Sequence, residues 1–172
     1  MAASAADLLG LDQVRFVVAR AQPFKAGKHA AAPDDRLAML AAAVDGDPRF
    51  VVDDRELARP GPSYTVDTLR ELRREYPHDT LFLLVGADTA RDLPNWNRAG
   101  ELPGLAHVVA LSRPGTARPA DRLIERALDV TPVDVSATEV REAVRSGASI
   151  RALVPDSVAR YIEAHHLYRA ED

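Results

Sequence analysis

The sequence predicts an α/β fold built on a doubly wound parallel sheet with helices on both faces. Short apolar runs alternate with amphipathic stretches along the chain, a pattern typical of strands that alternate with helices. One run, residues 81–85, lacks any polar alternation, which indicates a strand covered on both faces. The polar motifs follow predicted strands, where such folds bind ligands. We expect one domain over residues 1–172, with residues 137–172 as its helical C-terminal part.

The first half of the chain contains predicted helices and strands in turn. The opening small residues predict a helix that closes at Gly10. The strands are apolar runs over residues 14–18 and 50–52. The further helices are amphipathic stretches over residues 34–44 and 66–76.

The second half contains three predicted strands and two predicted helices. The strands are the runs over residues 81–85, 107–111 and 129–135, the last of them interrupted by Pro132. The helices are the amphipathic stretches over residues 138–145 and 156–165. The first two of these strands end in glycine- or proline-containing segments, which are typical of the turns that leave a strand.

Composition excludes several classes of protein. The chain of 172 residues has a formal net charge of −4, which argues against a nucleic-acid or membrane partner, since both favour a basic excess. It contains no cysteine, which excludes disulfides, thiolate catalysis and cysteine-ligated zinc and suits a cytoplasmic protein. No apolar run approaches the about 20 residues of a membrane helix. Homo-oligomerisation stays open, and no metal-ligand cluster is predicted.

A strand-to-helix junction at residues 133–141 carries the strongest candidate site. Ser136 and Thr138 lie at the predicted helix start, and Arg141 follows one turn later. Helix-start N–H groups, hydroxyls and a guanidinium together suit a phosphate. Ser136 and Glu139 also match a capping box, in which the same serine only terminates the helix. Both interpretations stay open on spacing alone.

Two aromatic residues are candidates for holding a flat ring. Tyr64 and Thr65 follow a Pro-Gly-Pro turn at a predicted helix start. Tyr64 could stack on a ligand or pack on its own helix as a staple. Trp96, the only tryptophan, lies in a loop after the 81–85 strand, where it suits either a ring platform or a minor core anchor.

Four further candidates lie near strand ends. Gly86 and Asp88 follow the 81–85 strand, and glycine permits close approach of a ligand to the backbone. An aspartate that caps the next helix is the competing interpretation of Asp88. Lys25 and Arg113 offer cations after two other strands, although each alone is typical of a solvated loop charge.

The order of these motifs resembles one family. The series comprises Pro23-Phe24-Lys25, Asp35-Arg36-Leu37, Pro62-Ser63-Tyr64-Thr65, Gly86-Ala87-Asp88, Trp96, Ser112-Arg113-Pro114-Gly115, Ser136-Ala137-Thr138-Glu139-Val140-Arg141 and Leu153-Val154-Pro155-Asp156. It is similar to bacterial nicotinate-nucleotide adenylyltransferase over essentially the whole chain. The resemblance implies a nucleotidyltransferase-like Rossmann fold, with ATP and nicotinate mononucleotide as small-molecule substrates and Mg²⁺ as cofactor.

The resemblance also implies a role for each candidate. Ser136, Thr138 and Arg141 match the family's Ser-x-Thr-x-x-Arg signature, which contacts ATP phosphates. Tyr64 and Thr65 match the pair that holds the nicotinate ring and carboxylate, and Trp96 matches the aromatic that stacks on that ring. The remaining matches are the site-lining Gly86 and Asp88, the basic Lys25, beside which Phe24 replaces the family's histidine, and Arg113.

One family motif has no counterpart in this sequence. The family opens with a strand and Gly-Gly-Thr-Phe-Asp-Pro-x-His-x-Gly-His, whereas Met1 here falls inside the helix that follows, and no His-x-Gly-His occurs elsewhere. Losing such charge-stabilising donors costs roughly 10²–10³ in rate each, by analogy with oxyanion-hole deletions. We therefore expect no catalytic histidine and little turnover from the chain as written, with a non-catalytic nucleotide-binding relative as the alternative to a transferase.

Overall fold

A computed structural model describes residues 1–20, 31–113 and 121–169. The chain divides into two compact units, each assembled from two separate stretches of sequence. The first unit comprises Met1–Leu11 and Ser63–Val133, and the second comprises Asp12–Pro62 and Asp134–Asp172. Each unit has its own sheet; the first contains two buried clusters and the second contains one. The assignment of residues 1–172 to a single domain stays a prediction.

The first unit is built around a three-stranded parallel sheet. Its helices are α1 (Ala2–Leu9), α4 (Thr65–Glu75), α5 (Ala87–Asp92) and α6 (Leu102–Leu105), and its strands are β3 (Phe82–Gly86), β4 (His107–Ser112) and β5 (Arg126–Asp129). Two 3₁₀ turns, Leu93–Asn95 and Ala99–Glu101, lie between α5 and α6. The strand order is β3-β4-β5, so β4 is hydrogen-bonded on both sides.

Both faces of this sheet are covered. Val108 and Ala110 of β4 pack into a cluster with Val66 and Leu69 of α4, while Val109 and Leu111 pack on the other face with Ala5 of α1. This is why β4 is apolar without alternation. The same holds for β3, where Leu83 faces the first cluster and Leu84 the second. The two-faced covering expected for residues 81–85 is thus confirmed, although β4, the central strand, is more deeply buried.

The second unit combines a two-stranded parallel sheet with four helices. Its elements are β1 (Val14–Val17), α2 (Pro33–Val44), β2 (Phe50–Asp53), α3 (Arg55–Ala58), α7 (Ala137–Arg145) and α8 (Asp156–Ala164). The two strands pair in register, with Val14 opposite Phe50 and Val17 opposite Asp53. Val140 of α7 and Val158 and Ile162 of α8 form the centre of its buried cluster. The amphipathic helices therefore turn their apolar faces toward one another.

The sequence-based prediction of class is confirmed, and one strand is misplaced. All pairings are parallel and helices flank the strands, but the ladders form two sheets rather than one. The last strand spans Arg126–Asp129 and not residues 129–135. Its edge position leaves Arg126 and Asp129 exposed, which hides it from an apolar pattern, and Pro132 has no N–H to extend the ladder. Within the described residues, no helix is both long enough and apolar enough to cross a bilayer.

Candidate functional site

The start of α7 carries the capping box that its sequence predicts. Ser136 is the N-cap, with φ −112° and ψ 150°, and its hydroxyl oxygen accepts from the Glu139 N–H at 3.1 Å. In return, the Glu139 carboxylate accepts from the Ser136 N–H at 3.4 Å. Both bonds lie at the exposed helix start. Since the oxygen of Ser136 accepts the capping bond, its hydroxyl proton is left to donate elsewhere.

Thr138 and Arg141 share one face of α7. Arg141 Nη2 donates to Thr138 Oγ1 at 3.1 Å, across the i to i+3 spacing that brings helical side chains together. Thr138 is exposed and Arg141 half-buried. A guanidinium and two hydroxyls therefore lie at the positive end of a nine-residue helix, a set of groups suited to a phosphate.

A cavity of about 270 Å³ adjoins these residues within the second unit. Ser136, Arg141 and Tyr168 supply its polar lining, and the rest is apolar: Met39, Val135, Ala137, Val140, Val154, Val158 and Ile162. Tyr168 adopts the left-handed region at φ 62°, which is uncommon for a bulky residue. Sequence reasoning misses Tyr168 as a site residue, because nothing in its local spacing links it to Arg141.

Tyr168 is a neutral phenol at the wall of this cavity. Burial raises its pKa; the Arg141 guanidinium opposes that rise, and the Asp35 carboxylate adds to it. Its hydroxyl lies 4.0 Å from Met39 Sδ, and a thioether is a weak acceptor. The phenol can therefore act as a hydrogen-bond donor toward an anion in the cavity.

The ring candidates lie together in the first unit. Tyr64 is the N-cap of α4 and Thr65 is its first residue, while Trp96 follows the turn Leu93–Asn95. Tyr64 and Trp96 are both half-buried and pack against the same hydrophobic cluster. Tyr64 thus has the packing contacts expected of a helix staple, and Trp96 has those expected of a core anchor. Each residue also stays partly exposed.

Gly86 and Asp88 lie where β3 meets α5. Gly86 ends the strand and is itself the helix N-cap, with open space where a Cβ would stand. Asp88 lies in the first turn, its side chain 97% exposed, and accepts from Arg91 Nη1 at 2.7 Å. The alternative that Asp88 caps the helix is therefore wrong. Its carboxylate faces solvent beyond the carboxyl end of β3, where parallel sheets place ligand-binding groups.

The structure describes one of the two cationic candidates, Arg113, and not the other, Lys25. Arg113 is exposed directly after the carboxyl end of β4. Lys25 lies outside the described residues. Beside Arg113, Ser112 is fully buried, and its hydroxyl has no hydrogen-bond partner among the described residues. No group of three His, Asp or Glu side chains in the described part of the chain is placed to hold a metal ion.

The chain is similar to proteins of known family and structure. The sequence model of the family described as cytidylyltransferase-like matches residues 1–143. A Thermus thermophilus protein named "Probable nicotinate-nucleotide adenylyltransferase" is 46% identical over 168 residues, covering 98% of this chain and 89% of the relative. A Pseudomonas syringae pv. tomato protein of the same name is 40% identical over 187 residues, covering 96% and 84%.

Solved structures share the fold at low sequence identity. Plasmodium falciparum nicotinic acid mononucleotide adenylyltransferase complexed with NaAD matches with a TM-score of 0.76 and 15% identity, covering 95% of this chain and 86% of that chain. The same enzyme complexed with APC matches with a TM-score of 0.72 and 14% identity, with the same coverage of 95% and 86%. These matches confirm the expected nucleotidyltransferase-like α/β fold.

Proposed function

The chain belongs to the nicotinate-nucleotide adenylyltransferase family, and on that premise we propose that it transfers the adenylyl group of ATP to nicotinate mononucleotide. The products are deamido-NAD and pyrophosphate, which makes the protein an enzyme of NAD biosynthesis. The observation that carries the proposal is the start of α7, where Thr138 and Arg141 meet at 3.1 Å beside the capping Ser136. The substrates are small molecules, and the net charge of −4 argues against nucleic-acid or membrane partners. A chain without cysteine suits the cytoplasm, where we place the enzyme.

The ATP phosphates bind at the start of α7 in this proposal. Arg141 offers a fork of N–H donors, Ser136 and Thr138 offer hydroxyls, and the helix start adds unpaired amides and a positive dipole end. These groups are held before any ligand arrives, since the capping box and the Thr138–Arg141 bond already fix their geometry. Preorganised donors of this kind stabilise the charge that develops on a phosphoryl group during its transfer.

Nicotinate mononucleotide binds to residues of the first unit in this proposal. Trp96 stacks on the nicotinate ring, and Tyr64 and Thr65 hold the ring and its carboxylate at the start of α4. Asp88 lines the site after β3, and Arg113 contacts the negatively charged ligand. Gly86, at the same junction, is assigned to ATP in this proposal. Lys25 adds a further cation, although it lies outside the described residues.

The reaction is an exchange of phosphate linkages. A phosphate oxygen of nicotinate mononucleotide attacks the α-phosphorus of ATP in line. The bond between the α-phosphorus and the oxygen that bridges it to the β-phosphorus breaks, and pyrophosphate leaves with that oxygen. The chain contributes positioning and charge stabilisation, which dominate catalysis of phosphoryl-type transfer. Mg²⁺ bound with ATP would supply neutralisation of the triphosphate charge.

A coupled assay of pyrophosphate release tests this function. Purified chain is incubated with Mg²⁺, ATP and nicotinate mononucleotide, singly and together, beside the variants Arg141→Ala and Arg145→Ala. Arg145 is a matched control, because it is an exposed arginine in the last turn of the same helix. Because the family's histidine motif has no counterpart in this sequence, we expect slow release, and only with both substrates; the rate should fall about 10²-fold further in Arg141→Ala and stay unchanged in Arg145→Ala. ATP binding without pyrophosphate release would overturn the catalytic assignment and leave a nucleotide-binding protein.

A further inference from the structure

The loop that carries Trp96 contains a strained residue. Arg98 adopts the left-handed region, with φ 53° and ψ 37°. This conformation is unfavourable for a side chain with a Cβ, and it persists only where the surroundings impose it. Arg98 lies two residues after Trp96 and directly before the turn Ala99–Glu101. Contacts within the loop, to Asn97 and Glu101, and one contact beyond it therefore hold Arg98 in place.

The contact beyond the loop is an ion pair to α4. Arg98 Nη2 donates to Asp67 Oδ1 at 2.5 Å, across 31 residues of sequence. Asp67 lies in the first turn of α4, two residues after Thr65. The two side chains are only 38% and 33% exposed, so the contact is partly shielded from water. The loop after α5 is thus fastened to the beginning of α4.

A second pair reinforces the first. Arg70 Nη2 donates to Glu101 Oε2 at 2.5 Å, and Arg70 Nη1 lies 3.9 Å from the same Asp67 oxygen. Four charges of alternating sign therefore run from Arg98 through Asp67 and Arg70 to Glu101. Isolated surface pairs contribute little, whereas networks with several contacts hold geometry better. We call this set the α4–loop clamp.

Backbone hydrogen bonds connect both elements that the α4–loop clamp joins to a ring candidate, one through Asp67 and one through Ala99, the residue after Arg98. The Asp67 N–H donates to the Tyr64 carbonyl at 3.0 Å, so the carboxylate and Tyr64 belong to one helical turn. At the other end, the Ala99 N–H donates to the Trp96 carbonyl at 3.1 Å. The Trp96 N–H donates to the Leu93 carbonyl at 3.0 Å, which closes the turn before it. Displacing the clamp therefore displaces Trp96 relative to Tyr64.

We propose that the Asp67–Arg98 pair is a positioning device for the ring-binding site, setting Trp96 against Tyr64 and Thr65. This inference rests on the proposed function, which assigns the nicotinate ring to those three residues. Asp67 and Arg98 are positioning residues and not catalytic ones, since they act on the ligand through the backbone of their neighbours. The backbone bonds next to the clamp lead to Tyr64 and Trp96, whereas Ser136, Thr138 and Arg141 lie in the other unit, so we expect the clamp to act on binding of nicotinate mononucleotide and not on binding of the ATP phosphates.

Three variants test the proposal. Asp67→Asn removes the charge of the acceptor, and Arg98→Gly removes the guanidinium while relieving the left-handed strain. Arg98→Lys keeps a cation. The readouts are the quenching of Trp96, the sole tryptophan, by nicotinate mononucleotide, and the KM of each substrate. We expect Asp67→Asn and Arg98→Gly to weaken mononucleotide binding about three- to tenfold with the KM for ATP unchanged, and Arg98→Lys to restore part of the loss.

Controls separate positioning from general stability. Arg151→Ala removes a pair with Asp156 whose side chains are 61% and 66% exposed, and it should change neither KM. Thermal unfolding confirms that each variant is folded, and Arg98→Gly should unfold near the wild-type temperature because lost strain offsets the lost pair. The double variant Asp67→Asn/Arg98→Gly should be no worse than the poorer single one.

The outcomes distinguish this inference from the function beneath it. Quenching in the wild type that persists unchanged in Asp67→Asn and Arg98→Gly would overturn the clamp and leave the ring site intact. A wild-type protein whose Trp96 fluorescence does not respond to nicotinate mononucleotide would overturn the ring site, and the clamp with it. Equal losses in the KM of both substrates would make the pair merely structural.

Discussion

Arg141 Nη2 donates to Thr138 Oγ1 at 3.1 Å, which ties a guanidinium to a hydroxyl on the exposed side of α7 before any ligand binds. The bond costs little to maintain, because residues three apart on a helix are already neighbours. It restricts the rotamers of a long side chain, so less conformational entropy remains to be lost when a phosphate arrives. The affinity for ATP should therefore depend on the shape of the Arg141 side chain as well as on its charge.

Arg141→Lys should raise the KM for ATP roughly tenfold. Lysine keeps the charge but cannot offer two parallel N–H donors to a phosphate, nor the planar fork that reaches Thr138 at the same time. A loss of about 1.4 kcal/mol corresponds to that factor. Steady-state kinetics at saturating nicotinate mononucleotide measure it, with Arg145→Lys as the matched replacement at the other end of α7. An unchanged KM in Arg141→Lys would remove Arg141 from the ATP site.

Ser136→Ala and Glu139→Ala should separate the two roles of the capping box. Each variant loses one of the two reciprocal bonds and should destabilise the protein by about 1 kcal/mol. Only Ser136→Ala also removes the hydroxyl proton that can donate to a phosphate, so only it should weaken ATP binding, by about three- to tenfold. Urea unfolding and calorimetric titration with ATP give the two readouts. Equal ATP affinity in both variants would leave Ser136 with capping alone.

Much of the fold could be predicted because the apolar residues of each half-buried helix or strand recur with its own period within a short stretch of sequence. Helix α7 begins one residue before its predicted start and ends where predicted, since the capping box marks the boundary by itself. Strand β5 was misplaced because it is an edge strand whose inward residues, Ala127 and Leu128, lie between charges. The division of the strands into two sheets depends on pairings between distant segments, which no local pattern encodes.

The candidate site was predictable only where its residues are close in sequence. Thr138 and Arg141 are three residues apart on α7, so their spacing alone brings them to one face, and Ser136 precedes them directly as the N-cap. The Asp67–Arg98 pair spans 31 residues and depends on a left-handed backbone at Arg98. The sequence does not indicate that conformation, because the residue there is not a glycine. Tyr168 likewise joins the cavity beside Arg141 only through packing in the second unit.

Asp53→Asn should destabilise the protein by about 2–4 kcal/mol at neutral pH. Asp53 is 6% exposed at the end of β2 and pairs with Arg55 at 2.8 Å and Arg15 at 3.1 Å. The variant removes the negative charge that compensates two largely buried guanidinium groups, those of Arg15 and Arg55. Urea unfolding at pH 7 measures the loss, with Asp156→Asn at its exposed pair as a control that should change little.

The same carboxylate should make the stability of the protein depend on pH in the acid range. Burial tends to raise the pKa of Asp53, but hydrogen bonds from the Arg55 N–H and guanidinium and from Arg15 outweigh it and hold the pKa below its usual value. The pKa of Asp53 is lower in the folded protein than in the unfolded chain, where it is about 4. The stabilisation is therefore complete above the unfolded-state pKa and is lost as the pH falls through the folded-state pKa. The difference between wild type and Asp53→Asn should therefore shrink below about pH 4. A difference that stays constant from neutral pH down through the acid range would contradict this assignment.

Ser112→Ala and Ser157→Ala should differ in their effect on stability, and only the second should destabilise the protein. Ser112 is fully buried with no hydroxyl partner among the described residues, so alanine removes an unpaired polar group and should leave the protein equally or more stable, by up to about 1 kcal/mol. The Ser157 hydroxyl instead donates to the Ala42 carbonyl at 2.7 Å, tying α8 to α2, and its removal should cost about 1 kcal/mol. Thermal and urea unfolding of the two variants compare the same chemical change in two environments. A destabilised Ser112→Ala would show that the hydroxyl has a partner in the native protein, and the carboxyl end of β4, beside Arg113, would be the place to look for it.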